Sequence, residues 1–145
     1  MIRILKIGFL GMFFVMAGDK ASSQEQLKWG ANFKEMHQDV VTGKSISFSV
    51  KTPPKPEISA TKLPLIVALN GGPKVAPSAE FPFIEVRPSG GGIWGYRSLS
   101  TVDVMAVIRT MKQKYPIDPD RISLIGSSAG ASGAMYLVSL YPDEF

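Results

Sequence analysis

Residues 121–135 read Arg121-Ile-Ser-Leu-Ile-Gly-Ser-Ser-Ala-Gly-Ala-Ser-Gly-Ala-Met135. A short apolar segment runs directly into two serines, with Gly126 and Gly130 each two residues from Ser128. Alone, G-x-S-x-G is a modest motif, expected by accident in about one chain in twenty of this length at ordinary Gly and Ser usage. Its flanks add the meaning. Arg121 to Ile125 reads as a strand and Ala131 to Leu140 as a helix, the context of a nucleophile elbow. Such an elbow reverses the chain within about one residue and holds the serine in strained backbone geometry at the tip. Side chains at the flanking positions would strike the neighbouring strand and helix, so glycine is needed there. Ser128 is the candidate nucleophile. Ser127 and Ser132 are the rivals, and neither has glycine at both −2 and +2. The Ala129 N–H falls at a helix N-terminus, where donors and dipole favour a developing negative charge.

The residues upstream build a sheet for this turn. Residues 44–51, KSISFSVK, alternate strictly, with Ile46, Phe48 and Val50 on one side and Ser45, Ser47 and Ser49 on the other, and read as a half-buried antiparallel strand. Leu63 to Asn70, LPLIVALN, is continuously apolar from Leu65 to Leu69, the pattern of a parallel strand covered on both faces. Asn70-Gly71-Gly72-Pro73 ends it. A backbone N–H at Gly71 or Gly72, or the Asn70 side-chain amide, is a candidate second oxyanion donor; Pro73 has no N–H to give. Phe83 to Val86 is a shorter strand. Ser100 to Lys114 reads as a helix with a stripe of Val104, Val107, Ile108 and Met111, Ser100 as N-cap and Asp103 in the first turn. Pro116 stops it, and Ile117 to Arg121 is expected to be a tight turn. Strands alternating with helices imply an α/β fold with a mostly parallel sheet and flanking helices.

The chain has 145 residues, 45% hydrophobic and 19% charged, the composition of one globular domain. Met1 to Ala17 combines Arg3 and Lys6 with an apolar run from Ile7 to Met16, and reads as a secretory signal peptide, with cleavage after Ala17 or as late as Ser23. The run is shorter than the roughly 20 residues that span a bilayer, so no membrane association is expected after its removal. Residues 18–43 form an unassigned N-terminal extension and 44–145 the domain. Taking Arg3 and Lys6 from the 16 basic residues leaves 14 against 12 acidic ones, too balanced to indicate nucleic acid. The absence of cysteine excludes disulfides and thiolate metal sites. Asp118 and Asp120, in a Pro-containing turn, read as caps and solvated charges, so neither metal nor cofactor is expected.

The stretch from Ile117, IDPDRISLIGSSAGASGAMYLVSLYPDEF, resembles α/β-hydrolases of the prolyl-oligopeptidase-like and polyhydroxybutyrate-depolymerase-like kinds. In these an Asp-Pro turn leads through Arg-Ile to the elbow, and a helix follows to Tyr-Pro-Asp-x-Phe. LNGGPK resembles their glycine-glycine-proline loop. The resemblance spans residues 44–145 at fold level and is specific over 116–145. It implies an α/β-hydrolase fold and a secreted esterase or peptidase using Ser, Asp and His, with an ester substrate favoured. Two departures stand out: Gly130 is followed by Ala131 rather than a second glycine, and Asn70 stands where relatives carry Tyr or His.

In this fold the chain order is serine, acid, histidine. After Ser128 come Asp143 and Glu144 but no histidine, and His37 is the single one in the sequence, ahead of the Ser45 strand. A lone histidine in a polar stretch reads as a surface residue. The expectation is therefore a hydrolase fold truncated after the nucleophile helix, inactive by itself and poorly soluble. Two readings from other classes remain. One is a non-catalytic secreted binding module that keeps the serine as a turn. The other is a dinucleotide-binding protein, on the G-x-G-x-x-G of Gly90 to Gly95; there the glycines do not open the helix, and no acidic residue stands where ribose binding needs one.

Overall fold

A computed structural model describes residues 27–38, 43–57, 61–89 and 99–145. The signal-peptide reading of residues 1–17, the alternative cleavage at Ser23 and the Gly90 to Gly95 motif lie outside them. The elements are β1 (Asn32–Gln38), β2 (Ser45–Lys51), β3 (Leu63–Leu69), β4 (Ile84–Pro88), α1 (Leu99–Lys114), β5 (Ile117–Gly126), α2 (Ala129–Leu140) and a closing 3-10 turn, Pro142–Glu144. Among the described residues the strands form one five-stranded sheet in the order β1-β2-β4-β3-β5. β4, β3 and β5 are mutually parallel, while β1 and β2 add antiparallel at one edge.

Period-two alternation decides which side chains meet the helices. Ile46, Phe48 and Val50 of β2 share a face with Ile84 and Val86 of β4 and with Leu63, Leu65, Val67 and Leu69 of β3, and all are buried. Onto this face α1 lays Val104, Val107, Ile108 and Met111, the stripe expected from its spacing, together with Met105 and Tyr115. From α2, Leu137 joins the same core. The far face is more polar: it carries Ser49 and Lys51 of β2, Glu85 and Arg87 of β4, and Ile66 and Ala68 of β3.

Three expectations need correction. The sheet starts at Asn32, inside the segment 18–43 set apart as an extension, so β1 belongs to the domain and His37 lies within its first strand. Residues 117–121 are not a turn closing one element before another. They are the beginning of β5, which pairs Ile117 with Leu63 and then Ile122 with Leu65, so the intervening residues bulge out of register. That bulge is stabilised locally: Asp118 accepts hydrogen bonds from the Asp120 N–H (3.2 Å) and from Arg121 Nε (2.7 Å), and Arg121 also donates to the Lys62 carbonyl (2.8 Å). Lastly, α1 begins at Leu99, which puts Ser100 inside the helix and Asp103 beyond its first turn, where Asp103 pairs with Lys44.

Candidate active site

The site is built where β5 ends and α2 starts, directly beside the end of β3. Ser128 sits between the two elements at φ 50°, ψ −119°, a left-handed conformation that a non-glycine residue rarely adopts, and it is exposed. The chain turns this sharply because β5 runs out parallel to β3 while α2 must fold straight back onto those two strands. Both flanking glycines are explained by contact. A Cβ on Gly126 would lie 2.5 Å from the Gly130 carbonyl oxygen and 2.8 Å from the Ala131 nitrogen. A Cβ on Gly130 would overlap the Leu69 carbonyl oxygen outright and lie 2.5 Å from its carbon. Gly126 thus admits the first turn of α2 against β5, and Gly130 admits α2 against β3.

Hydrogen bonds tie the elbow to the β3 end. The Ser127 N–H points at the carbonyls of Leu69 (3.4 Å) and Asn70 (3.2 Å), and Asn70 Nδ2 donates back to the Ser127 carbonyl (3.3 Å). Asn70 (φ 47°) and Gly71 (φ 136°) both take left-handed backbone, which swings the loop across the elbow. At Gly71 a side chain would be strained, and its Cβ would stand 3.2 Å from Ser127 Cβ. Within α2 the Ser128 carbonyl accepts from the N–H groups of Ala131 (3.0 Å) and Ser132 (3.2 Å). Ala129, the first helical residue, has an N–H without an intrahelical acceptor.

Of the residues singled out in the sequence, the fold gathers Ser128, Ala129, Gly126, Gly130, Asn70 and Gly71 at this junction. Gly72 stands one step away, packed against the Arg87 guanidinium of β4. His37 is elsewhere. It is half-buried on β1, with Nδ1 3.0 Å from Thr110 Oγ1 of α1. β1 and β5 are opposite edges of the sheet, four strand spacings or about 19 Å apart. Asp118 and Asp120 occupy the beginning of β5, the end remote from Ser128. The Arg121 hydrogen bond, helped by the Asp120 N–H, holds the Asp118 carboxyl below its ordinary pKa. Among the described residues, no His, Cys, Asp and Glu cluster that could hold a metal is present, and no helix is long and apolar enough to cross a membrane.

No protein-family model matches the chain, and no curated protein does. Solved structures do match. A thermostable esterase superposes with a TM-score of 0.62 at 20% identity, over 79% of this chain and 39% of its own. The S-formylglutathione hydrolase of Staphylococcus aureus gives 0.60 at 15% identity, over 79% and 54%. A putative dipeptidyl aminopeptidase IV from Bacteroides ovatus gives 0.59 at 16%, over 79% and 20%. The chain therefore spans between a fifth and somewhat over half of the length of these structures. The common architecture is the α/β-hydrolase fold: a mixed sheet with flanking helices.

Proposed function

We propose that this chain carries the nucleophile of a secreted or periplasmic serine hydrolase that cleaves carboxylic esters through an acyl-enzyme. One observation carries the reading: an exposed Ser128 in left-handed backbone at a strand-to-helix turn whose two flanking glycines have no room for a side chain. Ordinary turns do not need that combination; a nucleophile lifted clear of a sheet does. The esterase and S-formylglutathione hydrolase structures support an ester as the bond attacked. The similarity to a dipeptidyl aminopeptidase supports a second reading, a serine peptidase on the same site.

In this reading Ser128 Oγ attacks the acyl carbon and the carbonyl oxygen becomes an oxyanion. The Ala129 N–H receives it from the helix side, and a backbone N–H at Gly71 or Gly72 from the loop side. Asn70 keeps one amide hydrogen on the Ser127 carbonyl and has a second to offer. The basic and apolar start of the sequence supports export. Serine needs a base to attack, and loss of the triad histidine costs on the order of a million-fold in a serine protease of another fold. His37, the single histidine of the sequence, is too distant to serve, so Ser128 has no histidine base beside it.

Chemical rescue tests this. The chain is treated with a fluorophosphonate probe with and without imidazole, alongside Ser128→Ala. Slow labelling of Ser128 that imidazole accelerates, and that the alanine variant abolishes, is the expected result. Label on Ser127 or Ser132, or none under any condition, overturns it; the second outcome favours a binding module.

A further inference from the structure

Packing alone does not account for the acidic residue in the middle of the sheet. Glu85 lies on β4 between β2 and β3, on the face away from α1, and is fully buried. Arg87 Nε donates to its Oε1. Lys51 Nζ of the neighbouring strand stands 3.6 Å from its Oε2, which has no hydrogen-bond donor among the described residues. Burying such a group costs desolvation, and replacing a buried ion pair by apolar residues of similar volume is often neutral or stabilising. Stability is therefore a weak reason for the pair.

The other end of Arg87 supplies a stronger one. Its guanidinium lies against the backbone of Gly72: a Cβ built there would stand 2.7 Å from Arg87 Cζ and 3.3 Å from Nη1, and would overlap Nη2. Gly72, unlike Gly71, is not in left-handed backbone, so conformation does not require glycine at this position. The guanidinium does. An arginine end normally swings aside from a new methyl group at little cost, but this one is tethered to a buried carboxylate.

We infer that Arg87, anchored by Glu85, is a positioning residue for the Gly71–Gly72 segment. The planar guanidinium acts as a plate under the loop, setting its height beside the elbow and with it the direction of its N–H groups. A lysine would carry the charge without the plate. The chain order favours this use: Asn70 and Gly71 reach across to Ser127, and Gly72 is the first residue beyond them, where an unsupported loop would be free to lift. The inference rests on the reading of Ser128 as nucleophile only for its purpose, since the oxyanion donors are what the segment would be positioned to supply.

Two measurements on the 145-residue chain test it. The first is a mutant cycle in urea. Gly72→Ala is made in the original sequence and in a Glu85→Gln, Arg87→Ala background, where both members leave together so that no buried charge is stranded. Gly72→Ala lowers the unfolding midpoint in the first and leaves it unchanged or raises it in the second, because an alanine is there free of both strain and collision. The second is the 15N order parameter of the Gly71 and Gly72 amides. It falls from about 0.85 to below about 0.6 on Arg87→Met and on Glu85→Gln, and holds in Lys51→Met, which disturbs Glu85 without touching Gly72. A role confined to sheet stability would lower the midpoint in all three variants and leave those amides rigid. Equal effects of Gly72→Ala in both backgrounds, or amides that stay ordered without Arg87, overturn the inference. Neither measurement involves the Ser128 hydroxyl, so failure of the labelling experiment would remove the nucleophile while leaving this result standing.

Discussion

At the scale of single residues, the site stores backbone strain at Ser128. Left-handed backbone at a non-glycine residue costs about 1–3 kcal/mol, and nothing in the chain's own preferences offsets it. Ser128→Gly should therefore raise stability by about 1 kcal/mol, whereas Ser128→Ala, which keeps the Cβ and the strain, should stay within about 0.5 kcal/mol of the original; urea midpoints with unchanged slopes would show both. A serine that served only as a turn would have been free to be glycine. Asp118 is the other residue with a readable energetic signature. Its carboxyl pKa is lowered, first by the Arg121 hydrogen bond and then by the Asp120 N–H, so its contribution to stability is present above the ordinary carboxylate pKa and is lost as pH falls through the lowered one. Arg121→Ala should move the Asp118 titration up towards the ordinary value, followed by carboxyl 13C shifts. A titration unmoved by Arg121→Ala would assign the effect to the Asp120 N–H instead.

Between elements, the decisive contact is α2 on the end of β3. Gly130 is where the helix backbone meets the Leu69 carbonyl, with no flexible side chain between them to yield. Gly130→Ala must move backbone against backbone, and should cost about 3 kcal/mol or more in urea unfolding, far above the roughly 1 kcal/mol of an average substitution. Ala131→Gly next to it, an exposed position, should cost no more than about 1 kcal/mol. This contact was legible in the sequence because steric exclusion leaves glycine as its trace. The same holds for β2, β3 and the α1 stripe, where burial on one face imposes a period. β1 was not legible for the converse reason. Its inward positions are Phe33, Glu35 and His37, and Glu35 and His37 find polar partners in Lys114 and Thr110 on α1, while Met36 faces outward and is 71% exposed. Its alternation is real but not hydrophobic. The bulge at 118–121 was hidden by composition, since Asp-Pro-Asp within a strand reads like the same residues within a turn. The Arg87 support of Gly72 was hidden by separation along the chain, although a carboxylate in an apolar strand with a cation two residues on was a visible sign of it.

For the molecule as a whole, the sheet order places β5 at an edge among the described residues and exposes apolar side chains beside it. Met135, Tyr136, Val138 and Leu140 of α2 are all open to solvent, Met135 by 75%. An edge strand with an apolar helix face next to it presents unpaired backbone groups and a greasy surface at the same place. The opposite edge is guarded differently: β1 turns Lys34 and Gln38 outward. Charge there opposes pairing with a second copy, whereas β5 carries its one cation, Arg121, in the bulge, bonded to Asp118 and the Lys62 carbonyl. Self-association of the 145-residue chain should therefore run through the β5–α2 side. Sedimentation velocity across a hundredfold range of concentration should show growth beyond the monomer, suppressed by Met135→Lys with Val138→Glu, which charge the helix face while leaving Leu137 in the core. Substituting Met36→Lys, on β1 at the other edge and comparably exposed, should change nothing. If that variant suppresses association as well as the α2 pair does, then exposed apolar area in general, rather than this edge, drives the contact.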